Sequence, residues 1–112
     1  MPKKGTVEKA KSLSLAGLAE YQPGAVVSRT VIDRKEGTVT VFSFDEGEGL
    51  SEHVAPFDAM VVVLDGEAEV TIDGRANMVR AGETIIIPAD AAHALRAVKR
   101  FKMLLVMVRA KG

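Results

Sequence analysis

From Ala25 onward the hydrophobic positions fall in short runs of alternating character, each closed by Gly, Pro or Asp, which is the period of extended strands. Glu67 to Asp73 alternates strictly, with Ala68, Val70 and Ile72 predicted inward and Glu67, Glu69 and Thr71 outward. Thr38 to Phe44 puts Val39, Val41 and Ser43 on one face and Thr38, Thr40, Phe42 and Phe44 on the other. Both faces are apolar or β-branched, so this strand is expected to be covered on two sides. Ala25 to Ile32, Leu50 to Val54, Met60 to Leu64, Ala76 to Val79, Glu83 to Ile87, Ala91 to Ala97 and Phe101 to Val108 read as further strands. Asp65-Gly66 and Asp73-Gly74 each carry the signature of a tight hairpin turn. The pattern predicts eight or nine short strands.

Ahead of them, Leu13, Leu15 and Leu18 sit among Ala, Ser and Lys, which fits a short helical turn or an irregular lead-in closed by the turn Gln22-Pro23-Gly24. Regular turns with no helical period between them point to an antiparallel sandwich or barrel and exclude an α/β fold. No repeat or low-complexity linker divides the chain, so one domain over residues 1–112 is expected, its core at about 25–109.

Composition narrows the partners. A chain of 112 residues, 47% hydrophobic and 27% charged, is an ordinary globular protein. Fifteen Lys and Arg balance fifteen Asp and Glu, and there is one Tyr and no Trp. That argues against nucleic acid, which demands a net basic face or stacking platforms. Without cysteine there are no disulfides, thiolate metal sites or cysteine nucleophiles. The lysines at the start have no apolar run behind them, so neither a secretion signal nor a membrane anchor is expected, and the expected compartment is the cytoplasm.

Candidate chemistry rests on two histidines, His53 and His93, each placed on a strand just after a loop. Gly47 precedes His53 by five intervening residues, and Gly82 stands in the same relation to Pro88, followed by Asp90 and His93. In this arrangement the chain from Ala25 onward resembles the cupin superfamily, specifically the small single-domain, conserved-barrel cupins. Gly47 to Gly66 and Gly82 to Ala97 match the family's two motifs in register. The resemblance implies an all-β fold, a double-stranded β-helix or jelly-roll barrel with a short N-terminal lead-in.

The departures are specific. The family's second histidine slot falls on Ala55, its glutamate slot on Ala59 and its terminal asparagine slot on Ala97. Of the ligands to the family's metal, only His53 and His93 remain. Asp58, one residue from the glutamate slot and after Pro56, is the candidate third ligand, with a solvated turn residue as the competing reading. Glu52 would need a bulge to reach the face of its neighbour His53. Met60, Met103 and Met107 read as core filler, with a place on the cavity wall as the other option.

Three functions stay open at this level. One is a metal-dependent enzyme of oxygenase or isomerase type, its divalent ion (zinc, nickel, manganese or iron) held by His53, His93 and Asp58. The second is a barrel that binds a small molecule, with a weakly held metal or none, its mouth made wider and more apolar by the alanines. The third is a structural β dimer without a ligand. The resemblance implies a homodimer, formed through sheet edges or exchanged terminal strands, and the sparsely charged edge of Ala25 to Ile32 gives an independent motive.

Overall fold

The computed structural model describes residues 7–110. Eight strands follow a single 3-10 turn at Ala16–Leu18: β1 (Val26–Arg34), β2 (Gly37–Phe44), β3 (Gly49–His53), β4 (Phe57–Ile72), β5 (Arg75–Arg80), β6 (Thr84–Ile87), β7 (His93–Arg96) and β8 (Phe101–Arg109). All pairings are antiparallel. One sheet runs β1-β2-β8-β4-β6, and the other runs β5-β4-β7-β3. The chain is thus all-β and curled into a barrel, and no helix among the described residues is long and apolar enough to cross a membrane.

β4 belongs to both sheets. The Asp65-Gly66 pair, expected to turn the chain back, instead sits inside one continuous strand of 16 residues. The β4–β8 register slips between Val63 and Asp65, and Gly66 has φ of +75°. This is a bulge built on a left-handed glycine, which bends and twists a strand without ending it. β4 pairs with β6 before the bulge and with β5 and β7 after it, while β8 follows it through the bulge as far as Gly66. Asp73-Gly74 does form the expected hairpin, joining β4 to β5.

The interior is filled from β2, β4 and β8. Phe44 stacks on Phe101 at 4.5 Å between ring centroids, and Phe42 lies 5.8 Å from Phe44. Val61, Val63, Val70 and Met103 close the same cluster. Burying such side chains contributes about 1.5–3 kcal/mol each, which makes this the main source of the fold's stability.

The lead-in is a strap across the outer face of β2 and β8. Ser43 Oγ donates to the carbonyl of Ala19, and Lys102 Nζ donates to that of Ala16 at 2.6 Å, with Glu20 at 3.8 Å. Tyr21 OH donates to Asp65 at 2.6 Å under the Arg100 guanidinium. Burial first, and then Asp65, raise the Tyr21 phenol above its ordinary pKa and keep it protonated. The two-sided cover expected for Thr38 to Phe44 is therefore present at its end, where Ser43 and Phe44 are both buried although they face opposite ways.

Gly24 N donates to Asp45 at 2.7 Å; this bond, and then the Glu46 amide, hold the Asp45 carboxyl below the usual carboxylate range. A carboxylate depressed by folding lends its stability above the ordinary carboxylate range and loses it as pH falls through the lowered value.

The bulge generates a comparison. A Cβ at Gly66 would collide with the carbonyl of Arg100, whereas at Gly74 (φ +80°) it would meet open space. Gly74→Ala is expected to cost about 1–2 kcal/mol from backbone strain alone, and Gly66→Ala clearly more because the β4–β8 pairing must also shift. Chemical denaturation of the two variants checks this, and equal losses would contradict the bulge's role.

Candidate functional site

The two histidines end up side by side because β3 is irregular just before His53. β3 pairs Gly49 with Arg96 and Leu50 with Leu95, then slips so that His53 stands opposite His93. Leu50 and His53 are three apart and would face opposite ways on a regular strand; the irregularity cancels that parity. His93 is held on its other side by β4, opposite Ile72. The ring centroids lie 4.2 Å apart at an interplanar angle of 62°. His93 is buried, at 8% exposure, while His53 is exposed.

Both rings are anchored in the same way. His53 Nδ1 lies 2.9 Å from the carbonyl of Ser51, and His93 Nδ1 lies 2.9 Å from that of Ala91. A carbonyl only accepts, so each neutral ring carries its proton on Nδ1 and leaves the lone pair on Nε2. This is the tautomer that can accept a ligand's proton or a metal at Nε2.

The loop before His93 is clamped at three points. Asp58 accepts from Ala89 N at 3.0 Å, the carbonyl of Ala55 accepts from Asp90 N at 2.9 Å, and Asp73 accepts from Ala92 N at 3.2 Å. Asp90 takes φ of +67° to make the turn. Asp58 is thus a loop clamp, exposed and across from Val108 on β8, and Pro56 does not rotate it toward the histidines. On β4 its neighbour Ala59, 5% exposed, takes the inward position. Glu52 is exposed beside His53. Among the described residues no group of three or more His, Cys, Asp or Glu side chains is placed to hold a metal ion.

Met103 is wholly buried in the core, and Met107 packs against it opposite Ala59. Met60 is opposite Val106 and Ile86 on the outer face, away from the interior. Asp73 is a site-positioning residue that its hairpin signature concealed, since its contact with Ala92 is long-range in sequence. Glu67 and Glu69, expected to be solvated, are half-buried and lie 3.6 Å from Arg80 and 3.4 Å from Arg96.

The anchoring carries a direct prediction: long-range ¹H–¹⁵N correlation spectra of the neutral protein should show Nδ1 protonated and Nε2 bare at both histidines. An Nε2-protonated majority at either ring would remove its lone pair from the site.

With this geometry in view, comparison with known proteins is informative. The cupin domain family model matches residues 40–109. A conserved protein of unknown function from Streptococcus pyogenes superimposes with a TM-score of 0.90 at 42% identity, covering 95% of this chain and 93% of that one. The dimethylsulfoniopropionate lyase DddW of Ruegeria pomeroyi is 32% identical over 89 residues, 75% of this chain and 59% of the lyase. The polyketide synthase CurC of Streptomyces cyaneus is 40% identical over 53 residues, 46% of this chain and 34% of that protein. The chain therefore spans less than two thirds of the lyase and about a third of the polyketide synthase. The family model and the match to the streptococcal protein over nearly its full length together make this chain a member of the cupin family.

Proposed function

We propose that the protein binds a small organic molecule in the barrel, with the Nε2 atoms of His53 and His93 receiving its polar end. The observation that carries this reading is the convergence of two imidazoles at one cross-strand step, each anchored through Nδ1. Neutral imidazoles so anchored accept hydrogen bonds, so the ligand's polar end is a donor, a hydroxyl or an amine, and its remainder is apolar, to suit the side of the strands where Ile72 stands opposite His93.

The donor set does not fit the resident metal of the family. Structural and catalytic sites for first-row metals take three or more protein ligands, whereas here Ala55 and Ala59 hold two of the slots and Asp58 clamps a loop. A divalent transition metal bound by two imidazoles is weakly held and completes its shell from water or the ligand. A second reading, an enzyme acting on a small molecule, draws on the similarity to the lyase; in it the exposed His53 is the proton acceptor.

The test begins with elemental analysis of untagged protein, since a polyhistidine tag would add the ligands in question. The expected result is well below one transition metal per chain. A thermal-shift screen of small alcohols and amines should give hits that survive chelation and weaken about tenfold in His53→Ala and His93→Ala, the loss of one hydrogen bond at each. One tightly held metal per chain, lost with either histidine, would overturn the reading in favour of a metal centre.

A further inference from the structure

The chain holds two Asp-Gly pairs, Asp65-Gly66 and Asp73-Gly74, and the fold treats them differently. A carboxyl followed by glycine is open to attack by the glycine amide nitrogen, because no side chain stands beside that nitrogen. Asp65-Gly66 is closed in. It lies inside β4 with Lys102 and Phe101 opposite on β8, its carboxylate accepts from Tyr21 at 2.6 Å, and the Arg100 carbonyl fills the space where a Gly66 side chain would stand. Asp73-Gly74 is the two-residue turn of the β4–β5 hairpin, exposed at both residues. Ile72 and Arg75 close the ladder around it, and among the described residues nothing accepts from the Gly74 amide. A Cβ at Gly74 would meet only open space, and Asp73 carries the cost of a left-handed backbone, with φ of +48°.

Asp73 also reaches the histidine site. Its carboxylate accepts from Ala92 N at 3.2 Å, at the long end of the hydrogen-bond range. That N–H and the carbonyl of Ala91 belong to one planar peptide group, and the carbonyl is the anchor of His93 Nδ1 at 2.9 Å. The peptide that orients the buried imidazole is therefore held on its other side by the reactive carboxylate. The Asp73 amide adds a bond of 2.8 Å to the Ala92 carbonyl, one peptide further on.

We propose that Asp73-Gly74 is a site of spontaneous aspartyl isomerisation, and that the isoaspartyl product frees the peptide that orients His93. In the first step Gly74 N bonds to Asp73 Cγ, and a carboxyl oxygen leaves as water with the carboxyl proton and the Gly74 amide proton, giving a five-membered succinimide. Water then adds to the former main-chain carbonyl of Asp73 and breaks its bond to Gly74 N. The main chain now runs through Cβ, and the carboxylate sits directly on Cα. One water leaves and one returns, so no oxidant or cofactor enters. The turn gains a backbone atom, and the carboxylate, shorter by one methylene, withdraws from Ala92 N. The Ala91–Ala92 peptide is then free to rotate and to carry the His93 anchor with it. Asp58 and the Ala55 carbonyl still hold Ala89 and Asp90, so the change is confined to the end of the loop.

The experiment incubates the full chain for several weeks at physiological temperature and neutral pH. Electron-transfer fragmentation of its peptides locates isoaspartate, and long-range ¹H–¹⁵N correlation spectra read the placement of His93. Isoaspartate is expected at position 73 and not at 65. A second set of His93 resonances should grow in proportion to it, while those of Tyr21 in the strap stay single. A protein isoaspartyl methyltransferase with S-adenosylmethionine should reverse both changes. Asp73→Asn keeps an acceptor for Ala92 and makes ammonia the leaving group, so it should lose its amide at the same bond severalfold faster than the wild type isomerises. A wild type without isoaspartate at position 73 overturns the proposal, as does an Asp73→Asn chain that keeps its amide. Isoaspartate at 65 to the same extent, or isoaspartate at 73 that leaves the His93 resonances single, overturns it as well.

Discussion

Everything in this barrel depends on one strand being shared between two sheets, and that sharing depends on the left-handed backbone at Gly66. A strand pleats with a period of two, so β4 could not keep its apolar side chains inward through a change of sheet without an extra residue to absorb the turn. The slip between Val63 and Asp65 supplies it: Ala59, Val61 and Val63 face the core before the bulge, and Ala68 and Val70 after it. The bulge also leaves Asp65 on the outside, where Tyr21 fastens the strap. Core, sheet order and lead-in are thus three consequences of one local irregularity.

The histidine pair is a second irregularity working to the same end. A regular β3 would separate Leu50 and His53 onto opposite faces, so the strand slips between them, and Leu50 packs on the core while His53 meets His93. Orientation of each ring then costs the protein nothing beyond its own strand, because the anchoring carbonyl lies two residues back on the same backbone. With Nδ1 committed, the chemistry left to the site is the lone pair of two Nε2 atoms. The alanines at 55 and 59 take away the further ligands that would turn such a pair into a metal centre, and the short side chains remain as wall.

Most of the strands were legible because their inward positions alternate over the full length of each run, and the family motifs were legible because Gly47, His53, Gly82, Pro88, Asp90 and His93 keep their spacing. Asp65-Gly66 misled for a physical reason. A glycine that accepts positive φ serves a two-residue turn and a bulge equally well, and only the partner strand decides which. The same holds for Asp58 and Asp73. Each has the composition of a ligand or a turn residue, and what each does depends on Ala89 and Ala92, backbone amides distant in sequence that no local pattern announces. The strap was partly visible in the two-faced apolar character of Thr38 to Phe44, which required a cover without naming it.

The two sheets carry different kinds of surface, and one residue connects them. The sheet with β3 and β7 bears the histidines and a polar outside of paired Glu67–Arg80 and Glu69–Arg96, while the outside of the sheet with β1, β2 and β8 joins apolar positions such as Val39 and Val106 to the strap-bound Ser43 and Lys102. Asp58 stands at the margin of the second and reaches the first. One carboxylate oxygen holds Ala89, in the loop that delivers His93. The Ala55 carbonyl and Asp73, through both its carboxylate and its own amide, hold the rest of the loop's course into β7. Asp58 therefore ties the margin of one sheet to the loop that carries His93 on the other.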